Sequence, residues 1–319
     1  MRIDQLLVQR GLASTRSQAQ RLIADGVEWL KLETAGQAWR RVAKNGDEVP
    51  DGAEVRLLDD SEARYVSRGG LKLEAALRQA GLSVAGLRCV DVGQSTGGFT
   101  DCLLQAGALA VVGVDVGSAQ LHPSLRDDAR VLCVEGVNAR TLSATDLIAA
   151  YADSTGENGQ FDEESDVEYK VVGVDAWGHD IDDDMGDDDA PSDDGESMNA
   201  ESDEQGDTEP QLPPEFAPPF DVLVADLSFI SQTLVLPSAV ALLKAGGVML
   251  TLVKPQFELQ PGQVGKGGIV KDPDMYPIVE QRLRETCAEL GLTVTHWFDS
   301  AIEGGDGNRE FFICARKAG

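Results

Sequence analysis

Three charged residues lie where apolar runs begin or end, a fourth, Lys72, lies near the start of a predicted helix, and lysines paired with carboxylates are groups that can move a proton. Asp226 follows the run 221–225, Lys254 follows the run 247–253, and Glu310 begins the last apolar run. Ligands of open α/β sheets bind outside the carboxyl ends of the strands. A buried lysine there needs a partner, and Asp226 is the natural one. Each residue alone fits a structural ion pair, but with Lys72 the four predict a catalytic cluster.

A glycine-rich turn follows an earlier apolar run. Residues 89–100 read Cys-Val-Asp-Val-Gly-Gln-Ser-Thr-Gly-Gly-Phe-Thr, which predicts a buried strand, a tight turn and the start of a helix. Such a turn presents amide groups and a helix N-terminus to a ligand. The next apolar run ends in an acid, which can accept hydrogen bonds from ribose hydroxyls. The predicted cofactor site comprises Asp91, Gly93, Ser95, Gly97, Gly98 and Asp115.

The spacing of this turn bears on which cofactor it would hold. The pattern is D-x-G-x-S-x-G-G, whereas dinucleotide sites carry G-x-G-x-x-G to cradle a pyrophosphate. An acid just before the glycines suits the cationic amino group of S-adenosylmethionine. The pattern therefore favours S-adenosylmethionine over a dinucleotide, and a tight turn in an α/β core is the remaining alternative.

Strand-like and helical runs alternate from residue 68 onward, which predicts βαβ units and a mostly parallel sheet. The last two strands are close in sequence, so we expect them to pair antiparallel at the edge of the sheet. The predicted strands are 87–92, 108–114, 129–134, 221–225, 247–253, 293–298 and 310–315. The predicted helices are 71–79, 100–106, 143–151, 237–245 and 276–290.

Residues 1–60 predict a separate small α+β module of two helices and short strands, joined to the rest by a linker at 61–67. Residues 1–44 hold eight basic and four acidic residues, so a phosphate-contacting surface and an ordinary solvated helix face explain them equally well. If the module binds nucleic acid, the candidate contacts are Arg10, Arg16, Arg21, Arg64 and Arg68.

The net charge of −28 comes mostly from one segment. Residues 152–219 hold 24 acidic residues and a single base, Lys170, so the rest of the chain carries only −5. This composition predicts a disordered insert within the domain 68–319. Its more apolar island at 169–177 could add a short strand or meet a partner, and the alternative is a solvated insert with no specific role. Its flanking elements place it at the edge of the sheet opposite the predicted site.

Several classes of protein are excluded by composition. No apolar run reaches the roughly 18 residues of a membrane span, and residues 1–4 do not begin a signal peptide. The five cysteines are dispersed, which predicts free packed thiols, and the three histidines are too scattered to predict a metal site. We therefore expect a cytoplasmic protein without a metal.

The motifs together resemble the TlyA family of ribosomal RNA cytidine 2′-O-methyltransferases, which have historically been called haemolysins. The resemblance lies in residues 68–73, 91–100, 226–231, 253–258, 265–273 and 307–311, and in an S4-like pattern in residues 1–60. It implies a Rossmann-like class I, FtsJ-like methyltransferase fold preceded by an S4 RNA-binding domain. It also implies S-adenosylmethionine as cofactor, ribosomal RNA as partner and the tetrad Lys72, Asp226, Lys254 and Glu310.

A mechanism follows as a hypothesis from this resemblance. Lys254 steers or accepts the proton of a ribose 2′-hydroxyl, and Asp226 orients the lysine. Phe229 and Phe257 lie near the site in sequence, and we expect them to pack in the core rather than to stack on a base. The rival functions are a non-catalytic ribosome-assembly factor and a membrane-active haemolysin.

Overall fold

The N-terminal module is small and has its own apolar core. The computed structural model describes residues 1–13, 15–30, 38–58, 63–156 and 211–319. Thr15 begins the second helix by accepting a hydrogen bond from the Gln18 amide, as a good N-cap residue does. The elements are α1 (Ile3–Gln9), α2 (Arg16–Gly26), β1 (Val27–Leu30), β2 (Arg40–Arg41) and β3 (Glu54–Leu57), with β1 between the other two strands.

The second domain alternates strands and helices, as the sequence predicts. Its first half contains α3 (Arg68–Ala80), β4 (Arg88–Val92), α4 (Gly98–Gln105), β5 (Ala110–Val114), α5 (Pro123–Arg126), β6 (Val131–Val134) and α6 (Ala144–Thr155). Its second half contains β7 (Phe220–Asp226), α7 (Gln232–Ala241), β8 (Leu243–Val253), α8 (Pro255–Glu258), α9 (Met275–Glu289), β9 (Leu292–Asp299) and β10 (Phe311–Lys317).

The seven strands form one sheet in the order β6-β5-β4-β7-β8-β10-β9. Strand β10 runs antiparallel to β8 and to β9, whereas the other neighbouring pairs are parallel. Apolar side chains on both faces are buried under the helices, as expected for a parallel sheet. The α/β fold with a mostly parallel sheet and an antiparallel last strand is confirmed. The order also changes direction between β4 and β7, which opens a crevice at their carboxyl ends.

One predicted helix is misplaced. The sequence predicts a helix at 237–245, but α7 spans Gln232–Ala241, and Pro237 lies inside it. Ser231 caps the helix early by accepting a hydrogen bond from the Thr233 amide. Strand β8 begins already at Leu243, which pairs with Phe220. Pairing of β8 with β7 therefore places residues 243–245 in a strand, although the local sequence predicts a helix there.

The two ends of the predicted insert belong to the folded domain. Helix α6 continues to Thr155, and Phe216 is 6% exposed in a core cluster. The Arg88 guanidinium donates hydrogen bonds to the carbonyl oxygens of Pro214, Ala217 and Pro219 at 2.8, 3.0 and 2.8 Å. The prediction of disorder is therefore wrong for 152–155 and for Phe216, and the stretch 157–210, including the island at 169–177, lies outside the described residues.

The cysteines are free thiols, as the sequence predicts. All five cysteines are free, and four of them are buried. Within the described ranges, no group of three or more His, Cys, Asp or Glu side chains is arranged to hold a metal ion. No helix among the same residues is both long and apolar enough to cross a membrane.

Candidate active site

The glycine-rich turn lies between β4 and α4, above a buried carboxylate. Asp91 is fully buried and accepts a hydrogen bond from Thr100 Oγ1 at 2.8 Å on one oxygen. Its other oxygen, Oδ1, has no hydrogen-bond partner. Burial raises the pKa of Asp91 to about 7, although the Thr100 hydroxyl opposes this shift. A buried carboxylate with a spare acceptor fits a cationic group nearby better than an anionic one.

The turn approaches β7 closely because Gly93 has no side chain. Gly93 has φ +86°, and a Cβ atom there would lie 2.6 Å from the carbonyl oxygen of Asp226. The two loops therefore meet at the floor of a cleft with two adjoining parts. The part beside the turn has a volume of about 250 Å³ and reaches Lys254, and the other is about 650 Å³ and reaches Asp115.

Asp115 holds the turn and faces the larger part of the cleft. Its Oδ2 accepts the Ser95 amide hydrogen bond at 2.7 Å, and its Oδ1 accepts the Gly117 amide hydrogen bond at 2.8 Å. Each oxygen has a further lone pair. The Ser95 hydroxyl in turn donates to Gln120 Oε1 at 3.2 Å. Asp115 is thus positioned as an acceptor for hydroxyl groups at the predicted ribose position.

Lys254 and Asp226 meet on the wall of the smaller part of the cleft. Lys254 Nζ lies 2.5 Å from Asp226 Oδ1, and it donates a hydrogen bond to Ser228 Oγ at 2.8 Å. No well-directed hydrogen bond reaches Asp226 Oδ1, so the contact is an ion pair. The lysine side chain is 13% exposed, which leaves its amine accessible from the cleft.

Lys72 and Glu310 form a second pair, which is more deeply buried. Lys72 Nζ and Glu310 Oε2 are 2.5 Å apart, and the side chains are 9% and 3% exposed. Phe311 of β10 pairs with Val253 of β8. Glu310 and Lys254 therefore lie opposite each other, one residue beyond this pair. Burial raises the pKa of Glu310, whereas Lys72 and then Lys254 oppose the rise. The four predicted residues therefore lie at one edge of the sheet.

The cleft fits a cationic nucleoside cofactor. Asp115 and Asp226 line it, and their charges would oppose a pyrophosphate but attract a sulfonium and an amino group. The larger part is lined by apolar residues that suit an adenine ring, namely Val116, Leu227, Ile230 and Val235. Asp91 itself lies beneath the turn, so its charge acts from behind the glycines.

Phe229 is not packed in the core, contrary to the expectation from sequence. It is 91% exposed and has φ +63°, and its ring lies 5.1 Å from that of the half-buried Phe257. Two other non-glycine residues in the described ranges have a positive φ: Ser95, which lines both parts of the cleft, and Ala119, which directly precedes the cleft residue Gln120. Such backbone strain collects at functional sites, because packing must hold it in place.

The five arginines predicted to contact RNA are spread over the module, the linker and the first helix of the second domain. Arg10 donates to the carbonyl oxygens of Ala53 and Asp51, both at 2.6 Å. Arg16 lies 3.1 Å from the buried Asp4, and Arg64 lies 2.8 Å from Glu74. Arg21, in α2, and Arg68, at the start of α3, are half-buried. Their contact with RNA stays a prediction.

Several cleft residues were missed by the sequence argument. Ser228 holds Lys254, Gln120 holds Ser95, and Ser67 lines the smaller part of the cleft beside the glycine turn. Ser228 follows Asp226 by two residues, so its position after a strand end was the available signal. Gln120 carries no such signal, because its loop is shaped by tertiary contacts.

Two family models match the chain. The model for the FtsJ-like methyltransferases matches residues 65–317, and the model for the S4 domain matches residues 1–26. The first covers the cleft and all four charged residues at the sheet edge.

The similar proteins agree with these models. The chain is 34% identical over 315 residues to the 16S/23S rRNA (cytidine-2′-O)-methyltransferase TlyA of Mycobacterium tuberculosis, covering 99% of this chain and 89% of that protein. It is 29% identical to Hemolysin A of Brachyspira hyodysenteriae, covering 98% of each. A solved structure from Streptococcus thermophilus with a provisional hemolysin name is 32% identical, covers 100% of this chain and 88% of that one, and superposes with a TM-score of 0.60. The chain therefore belongs to the TlyA family, in which an S4 domain precedes an FtsJ-like methyltransferase domain.

Proposed function

We propose that the protein transfers a methyl group from S-adenosylmethionine to the ribose 2′-hydroxyl of a cytidine in ribosomal RNA. The observation that carries the proposal is the shared cleft, in which the Lys254–Asp226 pair lies beside the glycine turn. The residues of that turn would hold the cofactor, and the Lys254 amine lies in the same part of the cleft. Membership of the FtsJ-like family supports methyl transfer as the reaction.

The substrate is proposed from two further findings. An S4 domain at the N-terminus is an RNA-binding module, and the relative from M. tuberculosis is named for methylating cytidine in 16S and 23S rRNA. Since ribosomal RNA would be the substrate, we expect the protein to act in the cytoplasm.

Each member of the cluster would have a different role. S-adenosylmethionine supplies, when bound, an electrophilic methyl group on a sulfonium. Lys254 would steer or accept the proton of the attacking hydroxyl, because its amine is at the cleft wall. Asp226 and Ser228 would orient that amine through their contacts at 2.5 and 2.8 Å. Positioning the hydroxyl for in-line attack supplies much of the remaining acceleration.

The deeper pair would support the first. The Lys72–Glu310 pair is buried behind Lys254, so it would fix the local charge and the strand ends rather than contact RNA. On the open side, the exposed ring of Phe229 would stack on the target base once that base is out of its helix.

The test is transfer of tritiated methyl groups from labelled cofactor to ribosomal RNA from cells that lack the protein. We expect incorporation, with 2′-O-methylcytidine found by mass spectrometry. RNA binding without incorporation would favour the assembly-factor alternative. Leakage of liposomes without incorporation would favour the activity for which the relative Hemolysin A is named.

A further inference from the structure

An open glycine loop lies between α8 and α9, and the proposed function gives it no role. Gly265 donates its amide to the Ile269 carbonyl oxygen at 2.9 Å, and Gly268 donates to the Gly265 carbonyl oxygen at 3.1 Å, which closes the loop. Gly267 and Gly268 have φ +79° and +80°, and nothing lies within 4 Å of either Cβ position. The exposed side of the loop is therefore bare backbone.

A buried asparagine fastens this loop to the catalytic edge. Asn308 is 2% exposed, and it donates to the Gly268 carbonyl oxygen at 2.9 Å and accepts from the Val270 amide at 3.0 Å. Asn308 precedes Glu310 by two residues. The turn before Asn308 also packs tightly against Glu310, because a Cβ atom at Gly304 would lie 2.8 Å from Glu310 Oε1. The loop is thus held at a fixed place beside the cluster.

Two lysines flank the loop and differ from the other described lysines of this domain. Lys72, Lys244 and Lys254 each pair with a carboxylate, and Lys317 donates to two carbonyl oxygens. Lys266 and Lys271 are exposed and have no ion-pair or hydrogen-bond partner for their amines among the described residues. In the same part of the chain, the amides of Lys266 and Gly267 donate no hydrogen bond.

We propose that this loop binds backbone phosphate of the RNA strand that carries the target ribose. The recognising groups are the amines of Lys266 and Lys271 and the free amides of Lys266 and Gly267. Amines and loop amides are the usual phosphate donors of protein–RNA contacts. Asn308 fastens the loop beside Glu310, the residue before β10. A phosphate bound by the loop would therefore set the distance between the RNA strand and Lys254. This inference rests on the proposed function, since it takes RNA as the substrate.

The test compares the double variant Lys266→Ala/Lys271→Ala with a double control, Arg284→Ala/Arg316→Ala. The control removes the same charge from α9 and from the end of β10 opposite Glu310. The probe is ribosomal RNA from cells lacking the protein, and filter binding measures its Kd between 50 and 300 mM KCl. We expect the loop variant to bind about tenfold more weakly, with a log Kd–log salt slope smaller by roughly 1.4–1.8. Its affinity for S-adenosylmethionine should stay within about twofold of wild type, because neither lysine lines the cleft.

The outcomes separate this inference from the proposed function. An unchanged Kd and salt slope in the loop variant, or an equal loss in the control, would overturn the role of the loop. If the wild-type protein binds this RNA but transfers no methyl group to it, the proposed function fails. The binding comparison still decides whether the loop holds phosphate.

Discussion

Strand β7 carries an aspartate–lysine pair at each end, and in both pairs the lysine comes from β8 or the residue directly after it. At the start of the strand, Asp221 pairs with Lys244, and its Oδ2 also accepts the Arg88 amide hydrogen bond at 2.8 Å. At its end, Asp226 pairs with Lys254. The residue types are the same, and in the sequence the two pairs differ only in their place at the start or at the carboxyl end of the strand.

The surroundings of the two pairs are what differ. Burial would raise the pKa of Asp221, but the bonds from Lys244 and the Arg88 amide outweigh it and lower that pKa. Asp221 therefore has its donors and lines neither part of the cleft, as expected for a structural ion pair. Asp226 has one ion-pair contact and lines both parts of the cleft. A carboxylate and lysine with spare capacity beside a cavity can act on a substrate, whereas a satisfied pair cannot.

The largest effect should come from the lysine at the cleft. We expect Lys254→Ala to lower kcat for methyl transfer by about 10²–10⁴-fold, the usual contribution of a positioned proton acceptor. Lys254→Arg should be nearly as poor, because an arginine keeps the charge but cannot take a proton. The measurement is tritium incorporation into ribosomal RNA at saturating substrates.

Lys244→Ala is the matched control at the other end of the strand. It should keep wild-type kcat and lose about 1 kcal/mol of stability or less, because its pair is partly exposed. Equal kcat values for Lys244→Ala and Lys254→Ala would remove the distinction between the two ends.

The next largest effect concerns the buried pair. Lys72→Met leaves Glu310 without its main cation, and breaking a buried pair costs about 3–5 kcal/mol of unfolding free energy. Burial already raises the pKa of Glu310, and loss of Lys72 removes the main opposing charge. A carboxylate with a raised folded-state pKa loses stability as pH rises, so the variant should be more stable at pH 5 than at pH 8. Urea unfolding at both pH values measures this.

The double variant Lys72→Met/Glu310→Gln tests the cause. With no carboxylate left to ionise, it should regain stability at pH 8 and lose the added pH dependence. If the double variant is as unstable as Lys72→Met at pH 8, packing rather than charge explains the loss.

The next effect concerns Asp91, whose carboxylate has no ion-pair partner in the part of the chain that the structure describes. Its folded pKa is about 7, against 3.8 for a free aspartate side chain. The unfolding free energy should therefore fall between about pH 4 and pH 7, by at most about 4 kcal/mol. Asp91→Asn should be more stable than wild type at pH 8, and S-adenosylmethionine should stabilise it less. A variant that melts lower than wild type at pH 8 would contradict this.

Much of this site follows from local sequence. The apolar runs that end at Asp91, Asp226 and Lys254 predict strands, and their carboxyl ends share one edge because the sheet is parallel. Glycines at a turn likewise predict close approach of backbone, which Gly93 confirms. These features are predictable because each depends on a few neighbouring residues and one topological rule.

Other features depend on contacts between distant residues. The exposure of Phe229 comes from a strained turn, and its identity alone suggests a core position. The hydrogen bond from Lys254 to Ser228 needs two loops in register, and helix α7 shifts because β8 begins early to pair with β7. Sequence gives the candidates for such contacts, but the packing selects among them.

The smallest effect on catalysis is expected from deleting the acidic segment. The deletion tests whether this segment lies at the edge of the sheet opposite the cleft. Deleting 157–210 with a short Gly-Ser linker removes 22 acidic residues and Lys170 but keeps the residues that pack on Arg88. We expect kcat within about twofold of wild type, because the described ends of this segment lie away from the cleft.

Deleting 153–218 also removes Phe216 and the Pro214 and Ala217 acceptors, so its Tm should be lower by several degrees. Equal Tm values for the two deletions would show that Arg88 and Phe216 contribute nothing there. A severe loss of activity in the folded shorter deletion would show instead that the acidic segment takes part in catalysis.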